Sequence, residues 1–206
     1  MSDPLRTAIL AAAAAVDGAR AELGVLDGAA GDGDHGMTMS IGARNVRRRL
    51  QASERTAPAD VVRAVALGMS DVGGAIGPLY STALDAVAAE LEAAGPGATA
   101  DVSLLRRCVE VAEQAASNLG HAQPGDKTII DALHPLVLAL RDAEMRSVDL
   151  ATAIGLAVQA ASAGAEATTD MVARVGRASR LGERSRGMPD AGATSFAIVV
   201  RALATG

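Results

Sequence analysis

Apolar residues recur at a helical interval along almost the whole chain, and that interval constrains the fold more than any other feature. Leu104, Leu105, Cys108, Val111, Ala112 and Ala115 form one stripe of the 3.6-residue period. Ile129, Ile130, Leu133, Leu136, Val137 and Leu140 form another. The spacing predicts helices near 4–23, 36–51, 58–71, 78–93, 101–119, 126–143, 149–174 and 192–204. Asp101 and Asp126 stand where N-caps belong, and Pro78 sits at an early helical position. Pro135 lies inside the sixth segment and is expected to kink it, because proline cannot donate to the Asp131 carbonyl. No strand-like alternation and no internal repeat competes with this pattern. The expected fold is all-α, an antiparallel helical bundle or barrel, with residues 1–206 as one domain.

Such a core must be filled without aromatic bulk. Tyr80 and Phe196 are the only aromatic residues among 206, so Ala, Leu, Val, Ile and Met do the packing, and small side chains let helices approach closely. Aromatic scarcity argues against base stacking, and a net charge of -5 argues against a broadly basic surface. Neither a nucleic-acid nor a membrane partner is expected. The local run Arg47-Arg48-Arg49 reads as a solvated helix end. The single Cys108 excludes an intrachain disulfide and a cysteine zinc cluster, and its apolar stripe makes it a buried small hydrophobe. No stretch reaches the roughly 18 apolar residues that span a bilayer. The short apolar run Ile9 to Val16 lacks the flanks of a signal peptide, so a cytoplasmic location is expected.

Four glycine-rich polar stretches interrupt the helices: Asp27 to Gly36, Gly73 to Gly77, Gly120 to Thr128, and Gly176 to Gly192. In the first, Asp27, Asp32 and Asp34 crowd one short turn. Three carboxylates so close repel one another unless a cation neutralises them. Oxygen ligands without a His or Cys cluster select a hard cation, Mg²⁺ or Ca²⁺. An EF-hand is excluded, because Met37 and Ala43 fall where its glycine and glutamate belong. A polar turn whose aspartates merely cap backbone groups is the plain alternative.

Phosphate donors are the next question, since Mg²⁺ is commonly shared with ligand phosphates. A helix starting near His35 would aim free amides at the acidic turn, with Thr38 adding a hydroxyl. His35, beside Asp34, is a candidate to support a metal ligand or to touch phosphate; His121 and His134 read as surface or packing residues. Gly73 to Pro78 reads equally as a phosphate loop or a tight helix turn, and no Walker A motif is present. Lys127, the only lysine, caps a helix or contacts a ligand. In the last stretch Arg177, Arg180, Arg184 and Arg186, with Glu183 and Asp190, form either an exposed ion network or a nucleotide contact.

Four motifs in order make the chain resemble the L subunit, the nucleotide-binding domain, of dihydroxyacetone kinase. They are Leu-Asp-x3-Gly-Asp-Gly-Asp-His-Gly from Leu26, Gly-Gly-Ala-Ile-Gly-Pro-Leu-Tyr from Gly73, Pro-Gly-Asp-Lys-Thr-Ile-Ile-Asp-Ala-Leu from Pro124, and Gly-Arg-Ala-Ser-Arg-Leu-Gly-Glu-Arg-Ser from Gly176. The resemblance implies an antiparallel eight-helix barrel with nucleotide, ATP or ADP, at one end. It implies that Asp27, Asp32 and Asp34 hold two Mg²⁺ ions. It places His35, Gly36, Met37, Thr38, Gly74, Ala75, Ile76, Gly77, Gly120, Thr128, Arg177, Asp190, Ala191 and Gly192 around the nucleotide. It implies no catalytic nucleophile in the chain: a separate K subunit would hold dihydroxyacetone through a histidine, and the donor would be ATP or a phosphotransferase-system protein recharging bound ADP.

The chain departs from the family pattern at Ile76, usually Ser, at Ser81, usually Gly, and at Ala191, usually Pro. The expected activity is phosphoryl transfer to a small ketose by positioning and electrostatics. The competing expectation is a non-catalytic nucleotide-binding regulatory or interaction subunit, for which Ile76 is the main support. A homo-oligomer is compatible with either.

Overall fold

The computed structural model describes residues 3–206. Nine α-helices are present there: α1 (Pro4–Gly18), α2 (Arg20–Ala30), α3 (His35–Gln51), α4 (Pro58–Ser70), α5 (Ile76–Ala94), α6 (Val102–Gly120), α7 (Ile130–Met145), α8 (Leu150–Ala167) and α9 (Ala191–Thr205). Two 3₁₀ segments, Thr168–Asp170 and Arg177–Ser185, lie between α8 and α9. No strand occurs among the described residues.

Local chemistry sets several helix starts. Asp3 accepts from Leu5 N with Pro4 at the first helical position, Asp101 accepts from Leu104 N at 2.8 Å, and Asp149 from Thr152 N at 3.0 Å. Helices α3 to α9 each pack on the next in sequence, and α9 returns to α1, which packs on α3. The result is a closed, antiparallel ring of eight helices, as expected. Helix α2 stands outside that ring and leans on α3, α9 and the second 3₁₀ segment.

The core is built from small residues set against larger aliphatic ones. Ala153, Ala157 and Ala161 repeat every turn along α8 and meet Leu136, Leu140 and Ala143 of α7, all nearly inaccessible to solvent. Phe196 reaches three of the apolar clusters from α9, and Tyr80 joins two from α5. Cys108 is buried, and burial pushes its thiol up to about 11. The arginine run at the end of α3 is spent on local pairs, Arg47 with Asp17 and Arg49 with Asp71. No described helix is long and apolar enough to cross a membrane.

Three boundaries differ from expectation. The first helix breaks at Ala19, and its continuation runs to Ala30, so Asp27 sits in a last helical turn. Helix α7 begins at Ile130, not near 126, because the Asp131 carboxylate draws in the amides of Gly125 and Thr128 and holds Lys127 at a left-handed φ of 62°. Asp126 therefore caps the turn at Gln123 N (2.9 Å) and not the helix. Helix α8 stops at Ala167, and the chain then turns through Thr168–Asp170. Helix α7 runs through Pro135 without interruption.

The order of the ring decides where function can sit. The α2–α3, α4–α5, α6–α7 and α8–α9 connections all fall at one rim, and these are the four glycine-rich stretches. The rim thus gathers the N-termini of α3, α5, α7 and α9, whose unpaired amides and positive dipole ends favour an anion.

Candidate functional site

Asp27, Asp32 and Asp34 converge at this rim, each offering an oxygen within 4.8 Å of the others. Asp27 comes from the last turn of α2 and is half-buried; Asp32 and Asp34 come from the connecting loop and are exposed. The His35 amide, first in α3, donates to Asp27 Oδ2 at 3.1 Å, which orients that carboxylate toward the loop. Gly36 is needed for close approach: a Cβ there would collide with the Arg20 carbonyl. Arg177, from the long loop, donates to Asp32 and, at 3.3 Å, to Asp34. Hard-cation chemistry fits this all-oxygen donor set, in which one guanidinium pairs with two of the three acids.

His35 itself is buried, and its Nε2 lies 2.9 Å from Ser195 Oγ on α9. Burial lowers its pKa, partly offset by the nearby Asp27 charge. Gly36, Met37 and Thr38 follow in the first turn of α3, Met37 exposed and Thr38 half-buried. Gly74 and Ala75 are exposed on the α4–α5 connection, and Gly74 takes a left-handed φ of 73°. Gly77 is buried against the Val72 carbonyl. Ile76 turns away from the loop and packs with Tyr80 into the apolar core. The Tyr80 hydroxyl is buried there beside Ser195 but outside hydrogen-bonding geometry, and burial raises its pKa, offset in part by Ser195.

The opposite side of the rim is assembled around Lys127. Its buried ammonium donates to the carbonyls of Thr168 (2.8 Å), Met171 (3.3 Å) and Met188 (2.7 Å). Burial lowers its pKa. Gly120 ends α6, and Thr128 lies half-buried before α7, its amide donating to Asp131 at 2.7 Å. Asp190 caps α9 through Ala193 N at 2.7 Å, and its own amide donates to Thr168 Oγ1 at 2.8 Å. Burial pushes the Asp190 carboxyl up to about 6, against the pull of Lys127. Ala191 and Gly192 follow, with Gly192 facing Ile129 just before α7.

The anticipated residues therefore occupy one rim, while Ile76 directs its side chain elsewhere. Three residues with structural leverage on the rim were not singled out beforehand. Ser195 looks like an ordinary serine in an apolar helix, Asp131 like a first-turn acid, and Thr168 like part of a longer helix. His121 is an exposed left-handed cap of α6, and His134 pairs with Glu113 at 2.6 Å, both away from the acids.

A closed all-helical ring that concentrates acids and helix N-termini at a single rim defines an α-barrel domain. The chain belongs to the DAK2 domain family, whose model matches residues 29–205. Among its relatives is the L-erythrulose 1-kinase of Mycolicibacterium smegmatis, 40% identical over 188 residues, which cover 89% of this chain and 32% of that protein. Another is the ADP-binding subunit DhaL of the PEP-dependent dihydroxyacetone kinase of Escherichia coli K12, 34% identical over 183 residues, covering 87% of this chain and 84% of that one. The fold matches the dihydroxyacetone kinase of C. freundii at 26% identity, over all of this chain and 34% of that one. The TM-score is 0.76 for the native form and 0.73 for the complex with AMP-PNP and Mg²⁺. The chain thus spans about a third of the erythrulose kinases it matches, but most of the free-standing ADP-binding subunits.

Proposed function

We propose that this chain is the nucleotide-binding subunit of a kinase for a small ketose, dihydroxyacetone or a four-carbon relative such as erythrulose. The observation that carries the reading is the convergence of Asp27, Asp32 and Asp34 on a rim to which four helices turn their N-termini. Magnesium bound by the three acids would neutralise phosphate charge. The amides of His35 to Thr38 and of Gly74 to Gly77 would orient the phosphates, and Asp190 to Gly192, Gly120 and Thr128 would line the rest of the nucleotide. Arg177, already beside the acids, would add a cation to the phosphates and close the long loop over them.

The chain would contribute position and charge to the transfer, not a nucleophile. The ketose would be held by a partner of the dihydroxyacetone kinase K type, and the donor would be ATP or a phosphorylated carrier that recharges bound ADP. Ile76 packs partly buried against the apolar core and leaves the loop amides free, which is compatible with the catalytic reading.

Incubating the chain with a K-type partner, dihydroxyacetone or erythrulose, and either ATP or a phosphorylated carrier tests the reading. Chain-dependent ketose phosphate with one donor is expected, and native mass spectrometry should show a retained nucleotide. Nucleotide retention without turnover with either donor would favour the regulatory subunit.

A further inference from the structure

His35 joins three parts of the rim at once. Its amide donates to Asp27, it opens α3 behind Asp34, and its ring reaches α9, 160 positions along the chain, at Ser195. Ser195 is fully buried, and its hydroxyl donates to the Gly192 carbonyl at 3.0 Å. A hydroxyl has one proton to give. With that proton on Gly192, Nε2 would be the donor across the 2.9 Å contact to Ser195. That arrangement corresponds to the Nε2–H tautomer, with Nδ1 left as an acceptor.

We infer that His35 and Ser195 form a positioning relay that sets the Asp190–Gly192 segment in register with the three acids, so that one nucleotide can engage both. This rests on the nucleotide reading above. The relay needs no proton transfer: the imidazole donates to the hydroxyl, and the hydroxyl donates to the carbonyl at the start of α9. Its role is to hold two anion-facing helix starts at a fixed separation, as hydrogen-bonded partners hold the ligands of metal sites. Neither side chain has to touch the nucleotide for this.

Two measurements on the full chain test it. In the first, titration calorimetry with Mg·ADP is set beside Mn²⁺ binding without nucleotide. Ser195→Ala should weaken Mg·ADP about tenfold while Mn²⁺ alone binds within about twofold of the parent, because the acids themselves are untouched. His35→Ala should weaken Mg·ADP as Ser195→Ala does. His35→Gln, whose amide can replace the Nε2 donor, should recover most of the loss, and that recovery separates positioning from mere folding. In the second, ¹⁵N chemical shifts of the His35 ring should report the Nε2–H tautomer in the parent and its loss in Ser195→Ala. Unchanged Mg·ADP affinity in Ser195→Ala, no rescue by glutamine, or a mixed tautomer in the parent would overturn the relay while leaving nucleotide binding standing. A parent chain that takes up no Mg·ADP overturns the nucleotide reading and the relay's purpose with it, even where the tautomer is as described.

Discussion

Arg177 holds Asp32 and Asp34 together across 145 and 143 positions of sequence, one guanidinium nitrogen to each carboxylate. The arginine is the only cation paired with the acid cluster among the described residues, and it engages two of the three carboxylates that would hold a divalent ion. All three side chains are about half exposed, at 55%, 52% and 56%, so the pairing is weak and exchangeable.

Cation binding and release of Arg177 should therefore compete. Exposed ion pairs contribute about 0.2–1 kcal/mol, so Arg177→Met should tighten Mn²⁺ binding to the nucleotide-free chain by about two- to fivefold. The same variant should bind Mg·ADP more weakly, since it loses a phosphate contact. Calorimetric titration reads both, and weakening of both would show that the arginine supports the acids and does not compete for them.

Asp32→Asn removes a charge from the cluster without changing its shape. Saturating Mg·ADP at about 100 times its dissociation constant should stabilise the parent by roughly 2.7 kcal/mol, read as a rise in Tm. The variant should lose that rise and keep the same circular dichroism. An intact ligand-induced shift in Asp32→Asn would remove this residue from the metal site.

The ring was legible because its signal is repeated: stripes such as Leu133, Leu136, Val137 and Leu140 restate one period, and each helix supports the next. The acids were legible because repulsion among three carboxylates is a local cost that the sequence displays within eight positions, 27 to 34. What escaped notice depends on distant partners. The end of α8 was misplaced because its small apolar residues run on toward Thr168, and only the fold puts that threonine's hydroxyl under the Asp190 amide. Ser195 gains its role from His35, a partner that no local pattern names. The start of α7 moved because Asp131 binds amides upstream of itself, a tertiary preference that overrides helical periodicity.

Lys127 should be costly to replace. Its ammonium satisfies three carbonyls from the Thr168–Met188 segment, and Lys127→Met leaves them without that donor. Unsatisfied buried polar groups cost about 1–3 kcal/mol, so urea unfolding should show a loss of that order. Amide exchange should quicken across residues 168–190 before it does in α7 or α8. A uniform change in exchange would place the role of Lys127 in global stability alone.

Asp190 should give the chain a stability component that fades with rising pH. Burial holds its carboxyl at about 6, above the ordinary 3.8, so the folded chain binds this proton more tightly than the unfolded chain does. That contribution is whole below 3.8 and is lost as pH rises through about 6. Asp190→Asn keeps an N-capping oxygen and cannot titrate. The Tm of the parent relative to Asp190→Asn should therefore fall between about pH 4 and pH 7, and parallel melting profiles would contradict the burial of this carboxyl.

Two glycines of α8 should respond to alanine with opposite signs. Pro135 leaves the Asp131 carbonyl of α7 without its helical donor, and Gly164 of α8 lies directly against that carbonyl. A Cβ at 164 would collide with the Asp131 oxygen and approach Pro135 Cγ to 3.0 Å. Gly155, on the same helix, has nothing within 4 Å of where its Cβ would lie and faces solvent. Gly155→Ala should stabilise by about 0.4–1 kcal/mol, because alanine narrows the unfolded ensemble and suits the helix. Gly164→Ala gains the same propensity but forces α7 and α8 apart where Asp131 organises the Gly125–Thr128 turn. Overpacking of this kind costs about 1–3 kcal/mol, so its net effect should be destabilising. It should also loosen the turn that carries Thr128 and Lys127 and so weaken Mg·ADP, which Gly155→Ala should leave unchanged. Urea unfolding and nucleotide titration on the two variants measure both effects, and a neutral Gly164→Ala would mean that the helices do not meet as closely as the Asp131–Gly164 approach requires.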